Sequence, residues 1–506
     1  MAPALRPLNA THTRVGNSIG GLSPRGLTFP DGSPVRAAVP ATVARVGVER
    51  DGKIRLVSEW NEGGGHTVWV TPGGEQAGHA FDFPFEAPPF AVGLAPGDTD
   101  ADREWHQTEE VPQGAVLRGV RGVAWEQTPW GRFTLTTPEA TLHSTVQTDC
   151  VVPDPKDPTL LYDANTRYKM RWAERGDGRE WHFAGDTIAP ALYPTDPRLH
   201  VHAIGQGSHR TTFRAFRAGG ETYLASGANE VDFHRWDALT NLWVPAASVM
   251  VRPPRSDNAT PGWPPEAPEV AWGQGLLWRD ADGDGHMEAG EYELTDLPAP
   301  LWNEFDAQVG PYGSVTWRGY GSDAAKGCYE LWPLEGGEWD HFDYPASLLD
   351  CDCVEMTRHH FDDGTFYAVR RQGDGWELSA HKRGPDYAIW RTPLPWVKGV
   401  RRGTATHELP NFAPGELVGA LAVEGDFVFL AHGQGGGVDV FRRDTGEPVG
   451  RMATDLAPNS TLDEPRGGFH VWRRGGGRGA EYVCSLMDFN GSAALLWRVP
   501  EAELSR

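Results

Sequence analysis

The stretch "GALAVEGDFVFLAHGQGGGVDVFRRDTGEPVG" (residues 419–450) consists of short apolar runs separated by Glu-Gly-Asp, a glycine-rich turn and Asp-Thr-Gly. Runs this short, bounded by turn-forming residues and rich in Val, Phe and Leu, predict β-strands joined by tight turns. The order is a strand, a turn with Gly or Asp, a second strand, a polar turn, and a third strand ending in an aromatic residue or Arg. No apolar stripe with a period of 3.6 residues is sustained along the chain, so the reading is all-β.

The same order recurs in "HRTTFRAFRAGGETYLASGANEVDFHRWD" (209–237), "HHFDDGTFYAVRRQGDGWELSAHKR" (359–383) and "GFHVWRRGGGRGAEYVCSLMDFNGSAALLWRV" (468–499). It is also present near the N-terminus in "ARVGVERDGKIRLVSEWNEGGGHTVWVTPGGE" (44–75). An antiparallel meander repeated along a chain is the sequence form of a β-propeller, in which each sheet covers the faces of its neighbours. At roughly 40 to 50 residues per unit plus insertions, six to eight blades are expected, with seven favoured, in a single propeller domain spanning 1–506 with loop insertions. Two stacked sandwich or jelly-roll domains would share the short strands. They would not require the recurrent strand endings "VDFHRW", "VDVFRR" and "ALLWRV". The pattern resembles bacterial propellers with NHL-like or quinoprotein-like blades. Pro- and Gly-rich "VRPPRSDNATPGWPPEAPEVAWGQG" (251–275) reads as an insertion over one face.

Composition agrees with this reading and removes several function classes. The chain has 62 Gly, 41 Pro and 21 Trp, which favours many short strands. Its net charge of −23, with the Arg residues scattered among acids, argues against nucleic acid and anionic membranes as partners. No run approaches the roughly 18 apolar residues of a spanning helix, and the first residues lack the apolar core of a secretory leader. A soluble monomer is expected, cytoplasmic or secreted with its leader removed. Five cysteines without a CxxC pair predict free thiols, not a disulfide framework or a zinc ribbon. "GNSIG" (16–20) satisfies GxSxG without the strand and helix of a nucleophile elbow.

One motif is specific. In "DADGDGHMEAGE" (280–291), Asp280, Asp282 and Asp284 stand at positions 1, 3 and 5 of a twelve-residue calcium loop, and Gly285 at 6. His286 offers a backbone carbonyl at position 7, Glu288 stands at 9 and Glu291 at 12. A hard cation takes six or more oxygens, and a tight turn carries alternate carboxylates round to one centre. The flanks "AWGQGLLW" and "YELTDLPAP" read as strands, so the two helices of a calcium sensor are not expected. The loop resembles the isolated DxDxDG elements of extracellular propellers and dockerin-like modules, which implies a structural Ca2+ on these six residues.

Candidate chemistry lies with the histidines. His200 and His202 are two apart on one strand face, with His209 a few residues on; His359 and His360 open another meander, and His432 ends a strand beside a glycine-rich turn. Convergence of His202, His209, His360 and His432 at one propeller mouth would suit general acid/base work or a second divalent metal. Propeller polysaccharide lyases carry such imidazoles, so the expected function is a lyase or hydrolase acting on a polar small molecule or carbohydrate. The alternative is a non-catalytic propeller that binds a protein or a glycan. A quinone-dependent dehydrogenase is a further option, although the adjacent cysteine pair of that family is absent.

Overall fold

A computed structural model describes residues 5–16, 53–60, 64–72, 150–173, 181–199, 211–227, 230–250, 264–270, 274–296, 307–318, 327–335, 365–372, 374–382, 388–400, 415–432, 437–452, 469–487 and 493–506, and the short pieces 45–48, 76–82, 106–107, 116–118, 124–127, 133–136, 138–139, 141–143, 340–343 and 358–362. No helix among these residues is long and apolar enough to cross a membrane.

The turns form where the sequence places them. Ala218 pairs with Glu221 across Gly219-Gly220, whose φ values of 56° and 90° suit a two-residue hairpin loop with both central residues left-handed. Glu424 pairs with Phe427 across Gly425-Asp426, where Gly425 alone has positive φ, 56°. A Cβ there would also lie 2.5 Å from the Tyr482 hydroxyl, so glycine is required twice over.

Among the described residues eight sheets result, nearly all antiparallel, and most run in simple chain order as meanders. Strand Thr11–Gly16 departs from that order. It pairs along its whole length with Ala493–Pro500, becoming the edge of the C-terminal sheet that continues through Glu481–Met487 to His470–Arg474. Arg6 bonds Glu503 at 2.8 Å, and the amides and carbonyls of Arg6, Leu8 and Arg451 tie the N-terminus to the neighbouring sheet.

Burial on both faces of the sheets distinguishes a propeller from a sandwich. Along Ala493–Pro500, Leu495, Trp497 and Val499 join one cluster with Phe427, Phe429 and Val440. The alternate residues Ala494 and Leu496 join another with Val151, Leu161, Tyr168 and Trp181. Because strand side chains alternate, the sheet is packed between two neighbours and neither face is left to water. Strand Phe427–His432 is divided in the same way, with Val428 and Leu430 facing Tyr367 and Leu378 of the preceding sheet.

Five pairs of sheets cover one another in this way. Sheet 152–186 packs on 211–296 through Tyr162 and Trp243, and that sheet packs on 308–343 through Phe233, Val249 and Trp317. Sheet 358–393 packs on 399–452, which packs on the C-terminal sheet, which packs back on 152–186. At this last junction Glu481 accepts from Arg474 and Arg498, and both guanidinium groups lie over the Trp172 ring, at 4.3 and 5.2 Å. Strands of adjacent sheets also touch, Val152–Pro153 against Thr211–Ala218 and Leu417–Glu424 against His470–Arg474. The fold is a β-propeller with its two chain ends closed into one sheet.

The described strands of 45–143 form two further sheets of their own and pair with none of these strands. Cys150 is buried and Cys484 is a buried, free thiol, which burial pushes far above its ordinary pKa. Cys351 and Cys353 lie outside the described residues.

Candidate metal centre and buried histidines

The calcium-type loop joins strands Gln274–Arg279 and Tyr292–Asp296, an antiparallel hairpin that widens sheet 211–296 from four strands to six. A short 3-10 turn, Ala289–Glu291, leads directly into the second strand. Strands thus flank the loop where a sensor would have helices.

Its first half is wound by its own carboxylates. Asp280 accepts from the Gly283 amide at 2.9 Å, Asp282 from that of Asp284 at 3.2 Å, and Asp284 from that of His286 at 2.8 Å. Gly283 and Gly285 have φ of 86° and 79°. A Cβ on Gly285 would meet Val244 at 2.7 Å and the Tyr193 ring at 3.0 Å, so position 6 needs glycine for space as well as for conformation. The loop is anchored beneath by Met287, which is buried with Met250, Leu276 and Trp278, and by its amide bond to the Thr195 hydroxyl at 3.1 Å.

One oxygen each from Asp280, Asp282 and Asp284 lies within 4.8 Å of the other two. Oxygens sharing a calcium at about 2.4 Å can be no more than about 4.8 Å apart, so these three fit one ion. Burial, and then the charges of Glu291 and Asp284, push the Asp280 carboxyl above its ordinary pKa; the Gly285 and Gly283 amides pull the other way without cancelling this. Glu288 and Glu291 are not part of the triad. The Glu291 carboxylate accepts from the Ala281 amide at 2.7 Å and the Trp278 indole at 2.9 Å, and the His286 ring lies 6.1 Å from that of Tyr193.

The candidate histidines fare differently. His202 and His209 lie outside the described residues. His360 sits on Arg358–Asp362, opposite Tyr367, and only this strand position is described. His432 is 1% exposed at the end of Phe427–His432. Its Nε2 lies 2.7 Å from the Asp439 carboxylate, which also accepts from Trp396 at 3.0 Å and from two nitrogens of Arg451. Its Nδ1 is buried and meets no hydrogen-bonding atom among the described residues.

A second constellation of this kind escaped the sequence reading. His234 Nε2 is 3.1 Å from Asp196, which forms a bidentate pair with Arg198, and all three side chains are fully buried. Arg198 also donates to the carbonyls of Ala164 at 2.9 Å and Trp243 at 2.8 Å. Asp-Pro-Arg in a loop carries no motif. A strand histidine finds such a partner only when the sheets assemble.

Burial raises the pKa of both Asp196 and Asp439, but the neighbouring Arg and His groups outweigh it and hold each carboxyl below the usual range. A depressed folded-state value contributes stability that is complete above the unfolded value of about 4 and is lost as pH falls below it. We expect the urea midpoint to fall steeply below about pH 4, and the fall to be shallower in Asp439→Asn. Parallel acid limbs for parent and variant would remove Asp439 from the account.

No family model matches the chain, and no curated protein does. Among solved structures, the Dos1 propeller aligns at TM-score 0.30 and 9% identity, covering 67% of this chain and 79% of that one. The WD40 domain of Toxoplasma gondii coronin aligns at 0.28 and 9%, covering 99% and 91%. Kluyveromyces lactis Hsv2p aligns at 0.27 and 11%, covering 58% and 77%. Likenesses this distant carry no functional argument, and the fold assignment rests on strand order and two-sided burial.

Proposed function

We propose that this chain is a calcium-clamped β-propeller that binds a polar partner, a protein or a glycan, and does no acid/base chemistry on it. The observation that carries the binding reading is His432. An imidazole that transfers protons to substrate must reach it, whereas this ring is 1% exposed and committed to a carboxylate shared with Arg451 and Trp396. Buried networks of this kind fix packing. We assign the sheets 152–186, 211–296, 308–343, 358–393, 399–452 and 470–500 with Thr11–Gly16 as blades of a single propeller spanning 1–506; with the two sheets of 45–143 the described sheets number eight, so the expected six to eight blades bracket the count.

Asp280, Asp282 and Asp284 would hold the calcium, with the His286 carbonyl, Glu288 and Glu291 at the remaining ligand positions of the twelve-residue pattern. The role is structural, since the loop locks a hairpin onto Tyr193, Thr195 and Val244. Metal analysis of the purified protein should find about one calcium per chain. At a hundredfold excess over Kd such an ion adds about 2.7 kcal/mol, so a chelator should lower Tm by roughly 3 °C. Asp282→Ala should abolish that response. A chain without calcium, or a Tm indifferent to chelator, would remove the ion from the proposal.

Binding and catalysis are separated by incubating the calcium-loaded protein with an immobilised glycan panel and assaying the supernatant. Retention without new reducing ends or unsaturated sugar products is expected. Appearance of either product would replace the binding module with the hydrolase or lyase.

A further inference from the structure

A cleft of about 720 Å3 opens beside the calcium-type loop, over the outer strands of the six-stranded sheet. It is lined by Tyr223, Arg235, Ala246, Arg279 and Glu293, one from each of five adjacent strands, together with loop residues 280–283 and Leu334 from the turn after Gly327–Leu331. Tyr223 and Arg235 are directly opposed across their strands. Arg279 and Glu293 pair at 2.9 Å with their side chains 37% and 48% exposed, so both remain accessible to a ligand.

The chemistry of this lining is selective. Five carboxylates against two arginines make it net negative, which disfavours an anionic ligand and leaves an excess of charge even with one divalent ion in the loop. The Arg279–Glu293 pair places a fork of donors next to an acceptor, the arrangement that satisfies adjacent hydroxyl groups, each of which both donates and accepts. Tyr223, held flat against Phe216 at 5.7 Å, and Tyr292 add rigid aromatic surface. The volume is within the roughly 300–1,000 Å3 of small-molecule sites. Together these features describe a site for a neutral polyhydroxylated chain.

We infer that the cleft binds a neutral oligosaccharide and that calcium in the adjoining loop stabilises its wall. This rests on the binding-module reading and gives that module its ligand class and address. The coupling runs through the loop backbone: Arg235 donates to the Gly283 carbonyl at 3.2 Å and the Ala281 amide donates to Glu291 at 2.7 Å, so the peptides that enclose the ion also line the cleft. Linkage is reciprocal, and saccharide must then tighten calcium binding by the factor with which calcium tightens saccharide.

The test is calorimetric titration of the calcium-loaded full chain with cellohexaose, laminarihexaose and mannohexaose, with hexagalacturonate as the anionic control. At least one neutral hexasaccharide should bind. The surface variant Arg279→Ala/Glu293→Ala should bind it about tenfold more weakly, with Tm and calcium stoichiometry unchanged, and chelator should weaken the parent severalfold. Binding that survives the double variant unchanged would leave the module standing and remove the cleft from it. Binding of hexagalacturonate alone, or of none of the four sugars at roughly 10 mM, the weak end of useful affinity, would overturn the ligand class. Cleavage of a bound sugar would overturn the binding-module reading while the double variant still reports on the cleft.

Discussion

Replacing Asp196 by Ala is expected to destabilise the protein by about 3–5 kcal/mol, the largest effect of any single substitution considered. The carboxylate is fully buried and is shared by Arg198 and His234. Its removal leaves a guanidinium in the interior with only carbonyl partners, those of Ala164, Thr187 and Trp243. The cost is dominated by this stranded charge, so it exceeds what the pair itself contributes. Urea unfolding measures it, and a change below about 1 kcal/mol would show that water or local rearrangement relieves Arg198. The double variant Asp196→Leu/Arg198→Met, which removes both charges, should be less destabilised than Asp196→Ala. Asp196 also adjoins Thr195, whose hydroxyl holds the Met287 amide, and Tyr193, which packs under Gly285. Asp196→Ala should therefore weaken calcium binding as well, an effect that a purely local role would not produce.

Deleting residues 1–16 should be at least as damaging, for a different reason. Thr11–Gly16 supplies six paired residues to the edge of Ala493–Pro500, and Leu8 fills the cluster around Phe429 and Trp497. At about 0.5–1.5 kcal/mol net per hydrogen bond, the lost ladder alone amounts to roughly 3–9 kcal/mol, before the exposed apolar area is counted. The deletion also uncovers an apolar strand, Ala-Ala-Leu-Leu-Trp, as a free edge, which is a template for pairing between molecules. The truncated chain should be poorly soluble, and any soluble fraction should melt well below the parent. Adding a peptide of residues 5–16 in trans should recover part of the loss. A truncated protein that stays monomeric with an unchanged Tm would contradict the closure.

Different parts of this outcome were legible at different ranges. The two glycine hairpins, the strands they join and the calcium-type loop depend on contacts within about a dozen residues, so Gly219-Gly220, Gly425 and Asp280–Gly285 could be read directly. The strand flanks of the loop were legible as well, because "GLLW" and "YELT" have the short apolar character of strands. The recurrence of "VDFHRW" and "ALLWRV" gave the propeller. It did not identify which meanders pack together, because the segments 209–237, 359–383 and 468–499 have the same local pattern while their sheets pack on different neighbours.

The histidines mark where local reading stops. His432 at a strand end beside glycines has the sequence signature of an exposed, functional imidazole, and Asp439 seven residues on sits in the next strand. Only the hairpin register, with Leu430 opposite Asp439, and the approach of Arg451 and Trp396 show that the ring is enclosed. The cleft by the calcium-type loop has the same character, since Tyr223, Arg235, Arg279 and Glu293 span 70 residues and are brought to one face by five adjacent strands of one sheet.

By itself the sequence determined the all-β meander, its turns and the metal-type loop, all of which follow from backbone conformation and short-range carboxylate geometry. The tertiary structure decided how the ring closes through Thr11–Gly16. It also decided which charged groups are buried against one another at Asp196 and Asp439, and where a ligand-sized cleft opens. These depend on the packing of sheets far apart in the chain, where period-two burial fixes the face a side chain presents but not the partner that covers it.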